Sequence, residues 1–370
     1  MRHRSTAWPL AAAVAALVVY ASLYPFEGWR WKPGVDGWAL LWLPWPPYRD
    51  RFDEMANLFG YLPLGALLYG AAVRSGSRPT RSLLLSLLLS GALSFGVEVA
   101  QQFVPTRVPS SKDCAFNVAG ALLGALLAMG LQAVGFVDRW HLLRERWFQP
   151  DSAGALLLLL LWPAALLFPA PVALGLGHLW SELHALLLAA LADTPWEDAA
   201  AAWLGDGLAD RDAFSRLEEV LITALGLWAP CLVAYACSHR GWHRLVLVAG
   251  ALGFGIGMTT LSTVLNFGPQ HALAWWTPST LPGLAVGAAL ALVSIGAGRR
   301  LAAALGLMAL GLSVTLVAQA PADPYYAASL QDWELGRLIR FHGLAQWIGW
   351  LWPFAAMVWL MQRLGARDRE

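Results

Sequence analysis

Ten stretches of this chain are apolar for long enough to cross a bilayer, and short Arg-bearing segments alternate with longer loops between them. They fall at about 7–24, 54–73, 82–103, 114–136, 153–170, 218–237, 245–266, 279–297, 301–319 and 343–361. About 20 apolar residues of helix cross the hydrocarbon, where backbone polar groups must be satisfied internally. The expected fold class is all-α: a polytopic integral membrane protein with about ten transmembrane helices. Composition agrees, since 58% of residues are apolar and 13% charged, against roughly 25% charged in a soluble domain. The 21 tryptophans suit two aromatic interface belts, with the densest runs at Trp29–Trp45 and Trp347–Trp359. A formal charge of +1 without a clustered basic face argues against nucleic acid as a partner.

The charges orient the spans. With the N-terminus inside, fifteen of the 25 Lys and Arg residues fall on six short inner segments, from Arg2 and Arg4 to Arg363, Arg367 and Arg369. The outer loops are longer and carry most of the acids, six of them between Asp193 and Asp212. This bias expects both termini in the cytoplasm of a multi-pass plasma (inner) membrane protein. The first span lacks a polar region ending in a clear small-x-small cleavage site, so it reads as an uncleaved signal anchor. Cys114, Cys231 and Cys237 have no C-x-x-C spacing and read as small buried apolar residues.

Polar residues inside these spans are few and patterned. Asp53-x-x-x-Asn57-x-x-Gly60 and Asp113-x-x-x-Asn117-x-x-Gly120 repeat one spacing at the starts of the second and fourth spans. At about 100° per residue, Asp, Asn and Gly share a helix face in each copy. The third span adds Glu98 and Gln101 near its outer end, and the connection to the fourth adds Arg107 and Lys112. Topology thus expects Asp53, Asn57, Glu98, Gln101, Arg107, Asp113 and Asn117 to converge at the outer leaflet as a binding cluster. Ser110 and Ser111 read as caps for the fourth span. Gly60, Gly65, Gly120 and Gly124 read as packing positions, as do Gly253-x-x-x-Gly257 and Gly283-x-x-x-Gly287. Such Gly-rich faces also offer a surface to a membrane-protein partner. Pro63 is expected to kink the second span.

The ordered set Asp53-x-x-x-Asn57-x-x-Gly60-Tyr61-x-Pro63-Leu64-Gly65, Glu98-x-x-Gln101, Arg107 and Asp113-x-x-x-Asn117-x-x-Gly120-x-x-x-Gly124 resembles the VanZ-like family over about residues 10–135. The resemblance implies a small integral membrane domain with a cell-envelope role. One founding member is associated with raised resistance to the glycopeptide antibiotic teicoplanin, and others occur beside envelope-polysaccharide genes. It supplies no reaction. The domain organisation expected is a VanZ-like four-span unit at 1–150 and a six-span module at 151–370 with long periplasmic loops.

Three chemistries remain open for the cluster. Asn and Gln amides suit hydroxyls, and Arg107 with the helix ends suits a phosphate, as in a membrane lipid or a lipid-linked envelope precursor. An enzyme would use Glu98 or Asp113 as general base, or carboxylates around a divalent cation. Polar residues also serve as interhelical glue. No nucleophile with an adjacent base is visible, so no catalytic residue, cofactor or metal is assigned and the reading leans away from an enzyme. In the 171–217 loop, His178, Glu182 and His184 suit an interfacial amphipathic helix better than a zinc site lacking a third placed ligand. The Asp323–Phe341 segment, with mixed charges and aromatic residues, reads as an amphipathic helix at the outer surface that offers a roof for the cluster.

Reporter fusions at Arg78, Arg144 and Arg240 are expected to report cytoplasm, and fusions within 193–212 the exterior. An inversion at any of these sites contradicts the assignment.

Overall fold

Helix is the regular element throughout the described residues, as a chain built for hydrocarbon requires. The computed structural model describes residues 7–23, 26, 28–31, 38–47, 51–105, 107–179, 183, 187–188, 190–192, 194–199, 214–319 and 339–365. The chain divides into two compact units, Met1–Leu142 and Leu143–Glu370. Each of the ten apolar stretches contains a helix. Seven helices are long and apolar enough to span a membrane, and three apolar ones are shorter, at 10–17 residues. This is an all-α, polytopic membrane protein.

The first unit holds α1 (Ala7–Leu23), α2 (Arg51–Arg74), α3 (Pro79–Gln101) and α4 (Ser111–Ala133). Pro79 begins α3 at a position whose N–H would have no helical partner. Ser110 caps α4, its side chain accepting the N–H groups of Lys112 and Asp113. The capping role expected of Ser110 is met. Helices α2 and α4 touch backbone to backbone. A Cβ added to Gly120 would lie 2.1 Å from the Leu58 carbonyl oxygen, and one on Gly124 would lie 1.9 Å from that of Leu62. Gly65 answers from α2, where a Cβ would sit 2.0 Å from the Ala121 oxygen. No side chain fits there, which is the close approach that small-residue faces permit in membranes. Gly60 differs from the packing expectation: nothing lies within 4 Å of its added Cβ.

Helix α3 reaches its neighbours by another route. Ser82, Ser86, Ser90 and Ser94 are all fully buried, and their spacing of four continues through Glu98 to Gln102. Such a row follows the i±4 ridge of a helix and winds slowly around it. Small side chains along this ridge let α3 lie close, and Ser86 Oγ donates to the Gly65 carbonyl at 2.9 Å. An additional helix, α5 (Phe136–Trp147), lies in what the sequence expectation left as an inner connection.

The second unit contains α6 (Ala153–Ala165), α7 (Arg216–Cys237), α8 (His243–Phe267), α9 (Thr280–Val293), α10 (Arg299–Val317) and α11 (Ile339–Gly365). Helix α7 forms its core and is buried on nearly every side. A reciprocal pair of hydrogen bonds between Ser215 and Glu218 starts it. Gly283 and Gly287 of α9 press on Thr223 and Ala224 of α7, as their spacing suggests. Gly253 and Gly257 correct the same expectation for α8, since an added Cβ at either meets nothing within 4 Å. Cys231 and Cys237 are buried free thiols; Cys114 is free and half-buried.

Arg244, 1% exposed, ties three segments together. Its Nη1 donates to the carbonyls of Ile295 and Ala297 at 2.7 and 2.9 Å. Its Nη2 donates to those of Tyr235 and Ser238 at 2.9 and 3.0 Å, and Nε reaches His239 O at 3.0 Å. A guanidinium thereby satisfies carbonyls that helix ends leave without partners. His178 is half-buried, and desolvation pushes its imidazole below the usual histidine range. Glu182, His184 and most of the Asp323–Phe341 segment lie outside the described residues.

Gly120→Leu or Gly124→Leu is expected to destabilise the purified protein by about 1–3 kcal/mol or more, the range for overpacking. Gly253→Ala is expected to stay within about 0.5 kcal/mol of wild type, as for surface changes. Melting temperatures in detergent check both, and equal effects at the two sites would contradict the contact.

Candidate functional site

Glu98, in the last turn of α3, is 4% exposed. Its Oε2 accepts the backbone N–H of Ser110 at 2.8 Å. Ser110 Oγ in turn accepts Lys112 N–H at 3.1 Å and Asp113 N–H at 3.3 Å. The carboxylate of one helix therefore holds the cap of the next, beside a helix N-terminus whose partial positive charge favours an anion.

One turn deeper, Asn117 of α4 donates from Nδ2 to Ser94 Oγ at 2.9 Å. Its Oδ1 is buried with no donor among the described residues. Tyr61 of α2 and Cys114 of α4 both lie near Ser94 and within electrostatic range of Glu98. The Tyr61 hydroxyl is also buried, with Ser94 as its polar neighbour. A buried polar atom left unpaired costs about 1–3 kcal/mol. Asn117, Tyr61 and Ser94, one turn from the Glu98 carboxylate, form a polar knot in an apolar bundle.

A tryptophan-bearing segment covers this end of the bundle. Ser111 donates to the Pro44 carbonyl from its backbone N–H (3.0 Å) and its Oγ (3.1 Å), and Gln102 Nε2 donates to the Leu40 carbonyl. Arg30 N–H donates to Phe103 O at 2.9 Å, and Trp31 packs on Phe103 with ring centroids 5.2 Å apart. Trp29, Trp31, Trp38, Trp42 and Trp45 in this segment are exposed, as suits indoles at a membrane interface.

The seven residues expected at the site are placed differently from one another. Glu98 and Asn117 are buried in the knot. Gln101 is buried but turns to α1, donating to the Ser22 carbonyl at 2.9 Å. Asp113 is half-buried and within electrostatic range of Cys114. Arg107 is half-buried in the α3–α4 connection, where its N–H donates to Val104 O at 3.0 Å. Asn57 is half-buried, and Asp53 is exposed. The second copy of the Asp/Asn motif thus lies deeper than the first. Lys112 pairs with Glu54 at 2.5 Å.

Sequence reasoning gave no role to Tyr61, Ser94, Glu54 or Gln102. The signal for Ser94 and Gln102 was present in the four-residue spacing that leads from Ser82 through Glu98. Among the described residues no three His, Cys, Asp or Glu side chains are grouped so as to hold a metal ion.

Residues 5–133 match the family model VanZ/LLP1. The matched segment, similar to that family, contains all four helices that build the knot and its cover. Residues 134–370 lie outside the match. No curated protein and no solved structure matches the chain.

Ser110→Ala is expected to lower stability by about 1 kcal/mol through loss of the cap. Glu98→Leu is expected to lose about 1–3 kcal/mol, because the Ser110 N–H is left without its acceptor. Thermal melts of the purified variants check both, and an unchanged Glu98→Leu protein would contradict the hydrogen bond.

Proposed function

We propose that the VanZ-like unit binds a polar lipid or lipid-linked saccharide head group at the outer leaflet of the plasma membrane, in a cell-envelope role and without covalent catalysis. The observation that carries this reading is the buried Asn117 Oδ1, which has no donor among the described residues, with the Tyr61 hydroxyl at the same Ser94 and the Glu98 carboxylate one turn further along α3. Carboxylate and amide oxygens accept from ligand hydroxyls. Arg107 and the first turn of α4 supply the positive side that a phosphate requires. The positive-inside assignment puts this end of the bundle at the outer leaflet, where an envelope precursor or a glycopeptide target would be met. Asp53, Asn57 and Asp113, which are exposed or half-buried, remain reachable by a ligand in this reading.

A second reading has its own support. Glu98 to Ser110, Asn117 to Ser94 and Gln101 to Ser22 each join two segments of the unit, which is how polar residues act as interhelical glue. An enzyme acting on an envelope lipid is the weaker alternative, because no nucleophile–base pair is visible.

Binding of an undecaprenyl-phosphate-linked sugar to the purified full chain separates these readings. Glu98→Gln and Arg107→Ala are each expected to weaken it about tenfold or more, near 1.4 kcal/mol, while the variants remain folded and inserted. Unchanged binding by both variants would favour glue. Turnover of the probe by wild type, lost in Glu98→Gln, would establish an enzyme.

A further inference from the structure

The second unit contains a cavity of about 280 Å³, near the lower end of the size range for small-molecule sites. It lies between the 166–174 turn, the first turns of α7, the last turns of α8 and the segment entering α9. The backbone from Leu166 to Gly177 is irregular yet largely buried, and membranes tolerate such backbone where it is packed in protein or lines a cavity. Leu174, in the cavity wall, has φ of 61°. A non-glycine residue held in the left-handed region is strained, and such strain concentrates at functional sites. Gly226 of α7 makes room for this turn, since an added Cβ would lie 2.4 Å from the Leu174 carbonyl oxygen.

The wall chemistry is one-sided. Ser262 Oγ donates to the Leu167 carbonyl at 2.9 Å, Thr259 Oγ1 to that of Gly255 at 2.8 Å, and Thr263 Oγ1 to that of Thr259 at 3.0 Å. These hydroxyls have given away their hydrogens and retain lone pairs. Asn266 repeats the pattern: Nδ2 donates to Ser262 O at 2.7 Å, while Oδ1 is buried with no donor among the described residues. Glu219 adds a carboxylate to the wall, and among the described residues no Lys, Arg or His lines it. The prolines of the turn, Pro169 and Pro171, have no N–H to contribute. An acceptor-lined cavity without a cation disfavours phosphate and selects a ligand rich in donors.

We infer that this cavity is a second binding site, for an uncharged polyhydroxyl group such as a sugar head group. Neutral acceptors distributed around the cavity match many hydroxyls better than one ammonium, which brings only three donors. Trp275 in the wall adds an apolar surface for a sugar's C–H face. The site shares no residue with the Glu98 knot.

The test uses the full chain purified in dodecylphosphocholine, a detergent without sugar. Its melting temperature is followed against monoglucosyl diacylglycerol, methyl α-glucoside, phosphatidylethanolamine and phosphatidylglycerol, because a ligand that binds only the folded state stabilises it increasingly as its concentration exceeds Kd. Stabilisation by the glucolipid that rises with the logarithm of its concentration is expected, with apparent affinity about tenfold lower in Asn266→Leu and in Thr263→Val, near 1.4 kcal/mol. Equal affinity for methyl α-glucoside would show that the free sugar suffices, whereas binding only of the glucolipid would mark the lipid form as the ligand. The inference is overturned if neither glucoside stabilises the protein, or if both variants bind as wild type does. It is also overturned if phosphatidylethanolamine is preferred and Glu219→Gln abolishes that preference, since the ligand is then an amine.

Discussion

The first unit depends on the contact of α2 with α4 at Gly65, Gly120 and Gly124. Lipid tails are as apolar as leucine, so water expulsion does not hold helices together inside a membrane. Close packing must do it, and here carbonyl oxygens of one helix lie where the other has no side chains. That contact brings Tyr61 of α2 beside Asn117 and Cys114 of α4. The α3 serine ridge closes the third side and delivers Ser94 and Glu98 to the same place. The polar knot follows from the packing. Without the glycines, α4 could not lie against α2 with its cap beneath Glu98.

The second unit meets the same problem differently. Helix α7 is surrounded, with Gly226, Gly283 and Gly287 marking its tight contacts. Arg244 gathers carbonyls from the end of α7 and from the segment after α9. A buried cation satisfied by dipoles instead of by a carboxylate avoids burying a second charge. Trp228 donating to Ser294 Oγ at 3.0 Å and Tyr235 donating to the Ala291 carbonyl at 3.0 Å tie α7 to α9 by the same economy of charge.

Much of this was legible in the residues. Apolar length located every named helix but α5, because hydrocarbon thickness sets a length that sequence shows directly. Ser110 was readable as a cap, and Gly120, Gly124, Gly283 and Gly287 as packing positions. Spacing tells which residues share a face, but it does not name the neighbour that the face meets. Gly253 and Gly257 share a face that meets no neighbour among the described residues. The serine ridge is hard to read because single serines are neutral in helices, and only their period of four marks them. The cavity beneath the 166–174 turn was not legible, since it arises from irregular backbone whose path no periodicity records.

The central claim is that Glu98, Asn117 and Tyr61 form a place for a polar head group. The most direct measurement is a cryo-electron-microscopy map of the full chain copurified with its native membrane lipids. The account predicts non-protein density at the α3–α4 junction, within hydrogen-bond distance of Asn117 Oδ1 or the Tyr61 hydroxyl. A junction in which both atoms are satisfied by the protein's own groups, with lipid density only outside the bundle, would contradict it.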